Sequence, residues 1–201
     1  LYGSLHNLSG FNGVLDVQVL ENVGPDPVLK YGVEVPGHGV TICIFGGSDD
    51  EIAKIIYEKK DAGCDTGGNT EIVYVNADYH NAIYRYKILR PEPVNFWVKI
   101  RLGSSESLNP AAMLAIKEAV YDDFLGENEH TRQPRLGLAQ TVYASRFYHP
   151  VNALDIVRDL AGVSIALTDE TPNDADYVEV IDIRGDQEPV MSLENILVIG
   201  D

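Results

Sequence analysis

Tryptophan, cysteine and methionine are the scarcest residues of this 201-residue chain, with one tryptophan, two cysteines and two methionines. Two cysteines without a spaced framework make neither a disulfide scaffold nor a zinc site. Cys43 lies inside an apolar run and is predicted to be a small buried side chain, whereas Cys64 follows a glycine in a loop. Cysteine usage therefore excludes a disulfide-stapled fold and fits a reducing compartment or indifference to redox equally well.

Basic residues and long apolar runs are also scarce. Fifteen Lys and Arg stand against 31 Asp and Glu, which gives a formal charge of −16 and a pI near 4.5. Such a surface repels phosphates and anionic headgroups, so we expect no nucleic-acid partner. We also expect no membrane insertion, because no apolar run reaches the length of a span and no signal-peptide pattern opens the chain. The chain begins at Leu1 rather than Met, and we expect it to be a processed or trimmed piece of something longer.

What is present is an ordinary globular composition, with 45% hydrophobic and 23% charged residues. A chain of this length buries roughly 70% of its unfolded surface, so it can form a hydrophobic core without disulfides or structural metal ions. One domain or two modest ones are both reasonable for this length.

The first half predicts strands around a single helix. Ser48 and Glu51 have the spacing of a capping box, and an apolar stripe follows them. The predicted elements are a strand ending near Asn22, a strand over 39–45, a helix from Asp49 to about Lys60, and strands over 71–77, 82–89 and 93–102.

The second half predicts helices and then strands. Asn109 as N-cap, Pro110 at the first helical position and Gly126 as stop mark a helix ending at Leu125. A second helical stretch is predicted over 138–160, kinked or split at Pro150. Strands are predicted over 162–169, 176–183 and 194–200. This segregation predicts an α+β fold of two small mixed units, with mostly antiparallel strands and a few packed helices.

The two predicted units are residues 1–103 and 104–201. The first is expected to contain the strand, Gly-Gly turn and helix together with three following strands. The second is expected to contain a helical pair followed by a small sheet.

A strand, a Gly-rich turn and a helix together form the outline of a phosphate cradle, and "IFGGSDDE" has that order. However, Asp49, Asp50 and Glu51 occupy the first helical turn and would repel a phosphate. No Walker lysine follows, and the third glycine of the dinucleotide fingerprint is missing. We therefore interpret the turn as structural and predict no cofactor.

Other chemical signatures are equally weak. The five histidines share no ligand spacing with each other, with cysteine or with paired carboxylates, so no metal site is predicted, although a metal shared between chains stays open. There is no G-x-S-x-G elbow and no catalytic cysteine signature. With 31 carboxylates, any two could be proposed as an acid/base pair, so their abundance does not indicate a catalytic site. We predict no catalytic residues and no small-molecule substrate.

Trp97 is a candidate site residue, because it is predicted to point away from the apolar face of its strand. One interpretation is burial under a helix or the second unit, and the other is an anchor in a protein interface, where Trp, Tyr and Arg are enriched. The chain has eleven tyrosines and five phenylalanines, a ratio typical of surfaces that are partly apolar and partly hydrated, such as protein interfaces. Tyr84 and Tyr86 are the further candidates for a protein interface or an exposed aromatic site.

The order of several segments resembles the baseplate J-like proteins of contractile phage tails and related injection machines. The likeness is carried by "LSGFNGVLDVQVLEN", by "GVEVPGHGVTICIFGGSDDEIAKIIYEKKDAGCDTGGNT", by the Arg-Pro turn and strand of "ILRPEPVNFWVKIRL", and by the closing "VYASRFYHPVNALDIVRDLAGVSIAL" and "SLENILVIGD". It covers nearly the whole chain. The sequence departs from the family pattern at "GCDTGG" and at the extra glycine of "GFNGV", and the N-terminal arm of a full-length member is absent.

The resemblance implies a structural subunit of a baseplate wedge in a phage or prophage tail. Such a subunit pairs with copies of itself and with neighbouring wedge proteins, in a virion tail baseplate assembled in the bacterial host cytoplasm. It implies no enzyme activity and supplies no catalytic residues. The alternatives are a non-catalytic surface-binding or adhesin module and, behind it, a hydrolase using paired carboxylates.

Overall fold

The computed structural model of the chain describes residues 13–60, 63–103, 109–157 and 159–200. These residues contain three α-helices and thirteen strands. The strands form several small, mostly antiparallel sheets, which confirms the predicted α+β class.

The described residues divide into two compact units. One runs up to Glu92 and includes Arg184–Glu188, and the other comprises Pro93–Ile183 together with the residues from 189 onward. The predicted boundary after residue 103 is corrected to Glu92, because the strand that follows Glu92 pairs with strands of the second unit. Each unit has its own hydrophobic core.

The first unit begins with a three-stranded sheet and a helix. Its elements are β1 (Val14–Asn22), β2 (Val28–Lys30), β3 (Val33–Val35), β4 (Gly39–Gly46), α1 (Asp49–Lys59), β5 (Asp65–Gly67), β6 (Thr70–Asn76) and β7 (Ala82–Ile88).

The core of this unit lies between the sheet and α1. The central strand β4 has antiparallel β1 on one side and parallel β5 on the other. Ile42 and Ile44 of β4 are fully buried against Ile52 and Ile56 of the helix. The predicted strand, helix and apolar stripe are confirmed, because the 3.6-residue period of α1 and the apolar run of β4 agree on one buried face.

Strands β6 and β7, both predicted, form a hairpin with Tyr74 opposite Tyr84. At its tip, the Ala82 N–H donates to the Tyr79 carbonyl at 2.9 Å. His80 and Asn81 between them both have positive φ, at 53° and 56°. This is the geometry of a type I′ turn, which matches the twist of a hairpin.

The second unit is a sheet packed on a long helix. Its elements are β8 (Glu92–Leu102), α2 (Pro110–Leu125), β9 (Thr141–Tyr143), α3 (Tyr148–Asn152), β10 (Leu160–Leu167), β11 (Val180–Asp182), β12 (Gln187–Val190) and β13 (Ile196–Gly200). The first residue of β8 and the first two residues of β12 are assigned to the first unit. In the sheet, β8 lies between β10 and β12 and also pairs in parallel with β13.

Alternation along β8 builds the second core. Phe96, Val98 and Ile100 are fully buried on the face toward the core, and Phe124 of α2 packs against them. The ends of α2 fall where the sequence predicts them. The Asn109 side chain accepts a hydrogen bond from the Ala112 N–H at 2.8 Å, and Gly126 adopts the left-handed conformation that ends many helices.

The helical stretch predicted over 138–160 is wrong. In its place, β9 is followed by a 3₁₀ turn at Ala144–Phe147 and by the short helix α3. The reason is tertiary, because Val142 is buried and pairs with Ile181 of β11 in a two-stranded ribbon. Pro150 lies in the first turn of α3, where its missing N–H is not required.

Candidate protein interface

Tyr84 and Tyr86 lie on the face of the hairpin that packs against α1. The Tyr84 ring centroid is 4.6 Å from that of Tyr57 on the helix, and the Tyr57 ring is 4.7 Å from that of Tyr74. Tyr86 packs against the first core. Both predicted residues are half-buried inside their unit, so their rings hold the hairpin to the helix.

Hydrogen bonds involve the hydroxyl groups of Tyr57 and Tyr84. The Tyr57 hydroxyl accepts from the Asn76 amide at 3.0 Å. The pKa of Tyr84 is raised, first by its hydrogen bond with Tyr57, and burial raises the pKa of Tyr86. A phenol with an ordinary pKa is already protonated at neutral pH, so these raised pKa values matter only in alkaline solution.

Trp97 belongs to the second unit, so the structure does not group it with the two tyrosines. It lies on the outward face of β8 opposite Ala166, and its indole N–H donates to the Thr168 carbonyl at 2.9 Å. Beside it, Lys99 lies 3.8 Å from the Tyr177 ring centroid and 3.0 Å from an Asp174 oxygen. The segment after β10 therefore covers this face of the sheet and leaves Trp97 half-buried.

An apolar surface of the first unit lies on the other side of the hairpin. Val73, Val75 and Ile83, which we call the hairpin face, have exposed fractions of 36%, 51% and 60%. Val75 and Ile83 are direct cross-strand partners. The sequence pattern is consistent with this surface, since "EIVYVN" is apolar in both phases of the strand and only one phase is needed for the core.

The second unit has an apolar surface of its own on the β9–β11 ribbon. Tyr143 and Val180 are cross-strand partners with exposed fractions of 57% and 46%. Tyr148 and Val178 are exposed nearby, and we call these four residues the ribbon patch. Tyr143, Tyr148 and Val180 border a shallow cavity of about 240 Å³. None of the four was predicted as a site residue. Tyr143 and Tyr148 fell in the stretch predicted as helix, and Val178 and Val180 fell in a predicted strand.

Hydrogen bonds within the first unit hold the Gly-Gly turn. The Gly47 N–H already donates to the Gly13 carbonyl at 2.7 Å, so it does not face a ligand. The Arg90 guanidinium donates to the carbonyl oxygens of Gly46 and Gly47, and it pairs with Asp49. The predicted capping box is wrong, because the Ser48 side chain makes no capping hydrogen bond and Arg90 holds the turn instead.

Cys43, which the sequence predicts to be buried, is fully buried in β4. Burial raises the pKa of the Cys43 thiol to about 12, with Asp186 and Asp16 adding to the rise, so this thiol is no nucleophile at neutral pH. Within residues 13–60, 63–103, 109–157 and 159–200, no group of three or more His, Cys, Asp or Glu could hold a metal ion.

Comparison with known protein families finds no matching family model, and comparison with curated proteins finds no matching sequence. Among the described helices, none combines the length and the apolar character needed to cross a membrane.

Proposed function

We propose that this protein is a structural subunit of a contractile-tail baseplate wedge that assembles with copies of itself and with neighbouring baseplate proteins. The order of segments in the sequence supports the type of machine. The observation that carries the proposal is that each unit exposes apolar side chains on a strand surface, the hairpin face in one and the ribbon patch in the other.

Exposed apolar pairs on strands favour a binding role. Val75 with Ile83 and Tyr143 with Val180 are cross-strand partners whose burial by another protein would remove apolar area from water, at about 25 cal/mol per Å². Contiguous patches of this kind mark interaction sites more often than isolated exposed side chains do. We expect obligate interfaces of roughly 2,000 Å² or more in the assembled wedge.

Light scattering tests the proposal. The chain alone and the chain co-expressed with a wedge neighbour are compared for mass in solution, and a complex of fixed stoichiometry supports the assembly role. The variant Val75→Asp with Ile83→Asp should lower the yield of complex at least tenfold, because it places charge in a desolvated contact. Val23→Asp with Leu29→Asp is the matched control, since both side chains are exposed in the same unit outside the hairpin face.

The proposal would be contradicted if every mixture of the wild-type chain with a wedge neighbour showed only the masses of the separate proteins. Equal losses of complex for the two double variants would also count against the hairpin face, because the effect would then reflect added charge alone.

A surface-binding or adhesin module is the second candidate function. The favouring observation is the cavity of about 240 Å³ bordered by the exposed rings of Tyr143 and Tyr148, since sugars stack on such rings. A glycan array separates the two functions. Selective binding that is lost in Tyr143→Ala supports the adhesin, and an array without signal supports the wedge subunit.

A further inference from the structure

We propose that the outer edge of β6 docks an extended segment of a partner protein in which Lys or Arg residues alternate with apolar residues. This inference deepens the proposed function and rests on it for the existence of a protein partner. It adds the mode of binding, which is strand addition, and the chemistry of the segment that binds.

Hydrogen bonds of β7 show which edge of the hairpin is open. The Lys87 N–H donates to the Thr66 hydroxyl at 3.0 Å. The Leu89 N–H donates to the Ile42 carbonyl at 2.9 Å, and the Leu89 carbonyl accepts from the Ile44 N–H at 3.0 Å. Lys87 and Leu89 therefore direct their backbone groups away from β6, and the alternate residues between them and the turn do the same.

The same alternation fixes the direction of the groups on β6. In an antiparallel pair, a residue that points its N–H and C=O outward lies opposite a partner that also points outward. The partner of Lys87 is Glu71, and Val73 and Val75 occupy the following outward positions. Among the described residues, no backbone hydrogen bond crosses this edge of β6.

Strand β6 also lacks the usual protection of an edge. Edge strands are commonly blunted by proline, lysine or a bulge, because unpaired backbone groups are a template for another strand. "TEIVYVN" contains no proline and no lysine, and its pairing with β7 runs without a register shift from Thr70 to Asn76. Glu71 is the one charged residue of this strand and pairs with Arg85, so Val73 and Val75 leave an apolar stretch of edge that is suited to pairing with a partner.

Charge beside the edge favours a basic partner segment. A groove of about 400 Å³ runs between the first turn of α1 and β6, and Asp50, Glu51 and Lys54 of the helix line it. Asp50 and Glu51 are exposed, and the whole chain carries a formal charge of −16. Successive side chains of an added strand would point alternately toward these carboxylates and along the hairpin face, so positive and apolar residues should alternate.

A second copy of this chain is a poorer occupant of the edge. Pairing of two β6 edges would bring Asp50 and Glu51 of both copies together, and both copies carry the same negative net charge. Charge complementarity therefore points to a different protein.

Peptide binding to the full chain tests the proposal. The probe is a fluorescein-labelled nine-residue peptide of alternating Lys and Val, measured by fluorescence anisotropy. The first control is the same peptide N-methylated at alternate residues, which keeps the charge and removes the backbone donors of one edge. The second control is the Glu–Val peptide. We expect each control to bind at least about tenfold more weakly, because each lacks one of the two recognition features.

Variants of the chain test the same point from the other side. Val73→Pro removes an outward N–H, and Val73→Ala is its matched control because it shortens the side chain and keeps that N–H. We expect about tenfold weaker binding for Val73→Pro than for Val73→Ala, in samples whose circular dichroism matches the wild type. Asp50→Asn with Glu51→Gln should weaken binding about three- to tenfold, and Asp26→Asn with Glu58→Gln, an equal charge change elsewhere, should not.

Equal binding of the N-methylated peptide, or equal binding by the two Val73 variants, overturns the strand-addition mode. Self-association of the peptide-free chain that Val73→Pro abolishes overturns the choice of partner in favour of a second copy. If Val73→Pro leaves the complex with a wedge neighbour intact, this inference fails while the proposed function stands. If no such complex forms but the peptide results hold, the proposed function fails and the docking edge stands.

Discussion

Arg90 holds the turn between β4 and α1 by contacts that no local pattern in the sequence indicates. Its guanidinium reaches carbonyl oxygens of Ile44, Gly46 and Gly47, more than forty positions earlier in the chain. Sequence reasoning assigned the start of the helix to Ser48, because capping residues are recognised by their neighbours. Arg90 lies between β7 and β8 and contacts carbonyl oxygens far back in the chain, so no local sequence pattern indicates its role.

The first prediction concerns this arginine. Arg90→Ala should lower the free energy of unfolding by about 2 kcal/mol, because several carbonyl oxygens lose a charged donor. Arg90→Lys should recover only part of that loss, since an ammonium group cannot reproduce the planar fork. Asp49→Asn should cost less than about 1 kcal/mol, because the Asp49 carboxylate is more than half exposed. Urea unfolding measures all three, and an equal cost for Asp49→Asn and Arg90→Ala would assign the stabilisation to the ion pair instead.

The second prediction concerns Cys43 and alkaline pH. The folded pKa of about 12 lies above the ordinary value of 9.0, so the stabilisation from keeping the thiol protonated is complete below pH 9 and falls as pH rises toward 12. Between pH 8 and pH 10.5 the wild-type chain should lose about 2 kcal/mol more stability than Cys43→Ala. The raised pKa values of Tyr84, Tyr86 and Tyr177 affect both proteins and cancel in the comparison. Parallel pH profiles for the two proteins would contradict this account.

At the scale of elements, the sequence predicts what local physics decides. Helix α2 begins and ends where Asn109, Pro110 and Gly126 place it, and β8 has the predicted alternation. The helix predicted over 138–160 is wrong because contacts with distant residues decide the structure there. Val142 pairs with β11, and Phe147 packs in the core. The candidate site was predictable only in part. Apolar residues in both phases of β6 indicate that both faces of the strand are covered, but the sequence does not identify what covers the second face.

Asp123 and Arg146 tie α2 to the 3₁₀ turn before α3 and give the third prediction. The Asp123 carboxylate is fully buried, and Arg146 donates to its Oδ2 at 2.7 Å and to its backbone carbonyl at 2.6 Å. Arg146→Ala should cost about 3–5 kcal/mol, because it leaves a buried carboxylate without its partner. Asp123→Asn in the same background should restore part of the loss.

A double-mutant cycle by urea unfolding checks this pair. If the losses in free energy of unfolding simply add, with a coupling below about 1 kcal/mol between the two positions, the contact does not tie these elements together.

At the scale of the molecule, each unit combines a closed core with an open strand surface. The hairpin carries aromatic rings on the face toward α1 and aliphatic side chains on the other, and the β9–β11 ribbon carries the ribbon patch. The predicted boundary lay after β8 because the composition changes there, whereas the pairing of β8 with β10 and β13 assigns the strand to the second unit. Pairing between strands far apart in sequence is the information that composition lacks.

The central claim is that these strand surfaces bind other proteins. Amide hydrogen exchange of the chain alone and in complex with a wedge neighbour tests it most directly, because exchange reports the unpaired amides of an edge. The account predicts that the amides of Val73 and Val75 become protected in the complex, together with those around Tyr143 and Val180, while the amides of the two cores stay as slow as before. Unchanged exchange at both surfaces in a complex that does form would contradict the account.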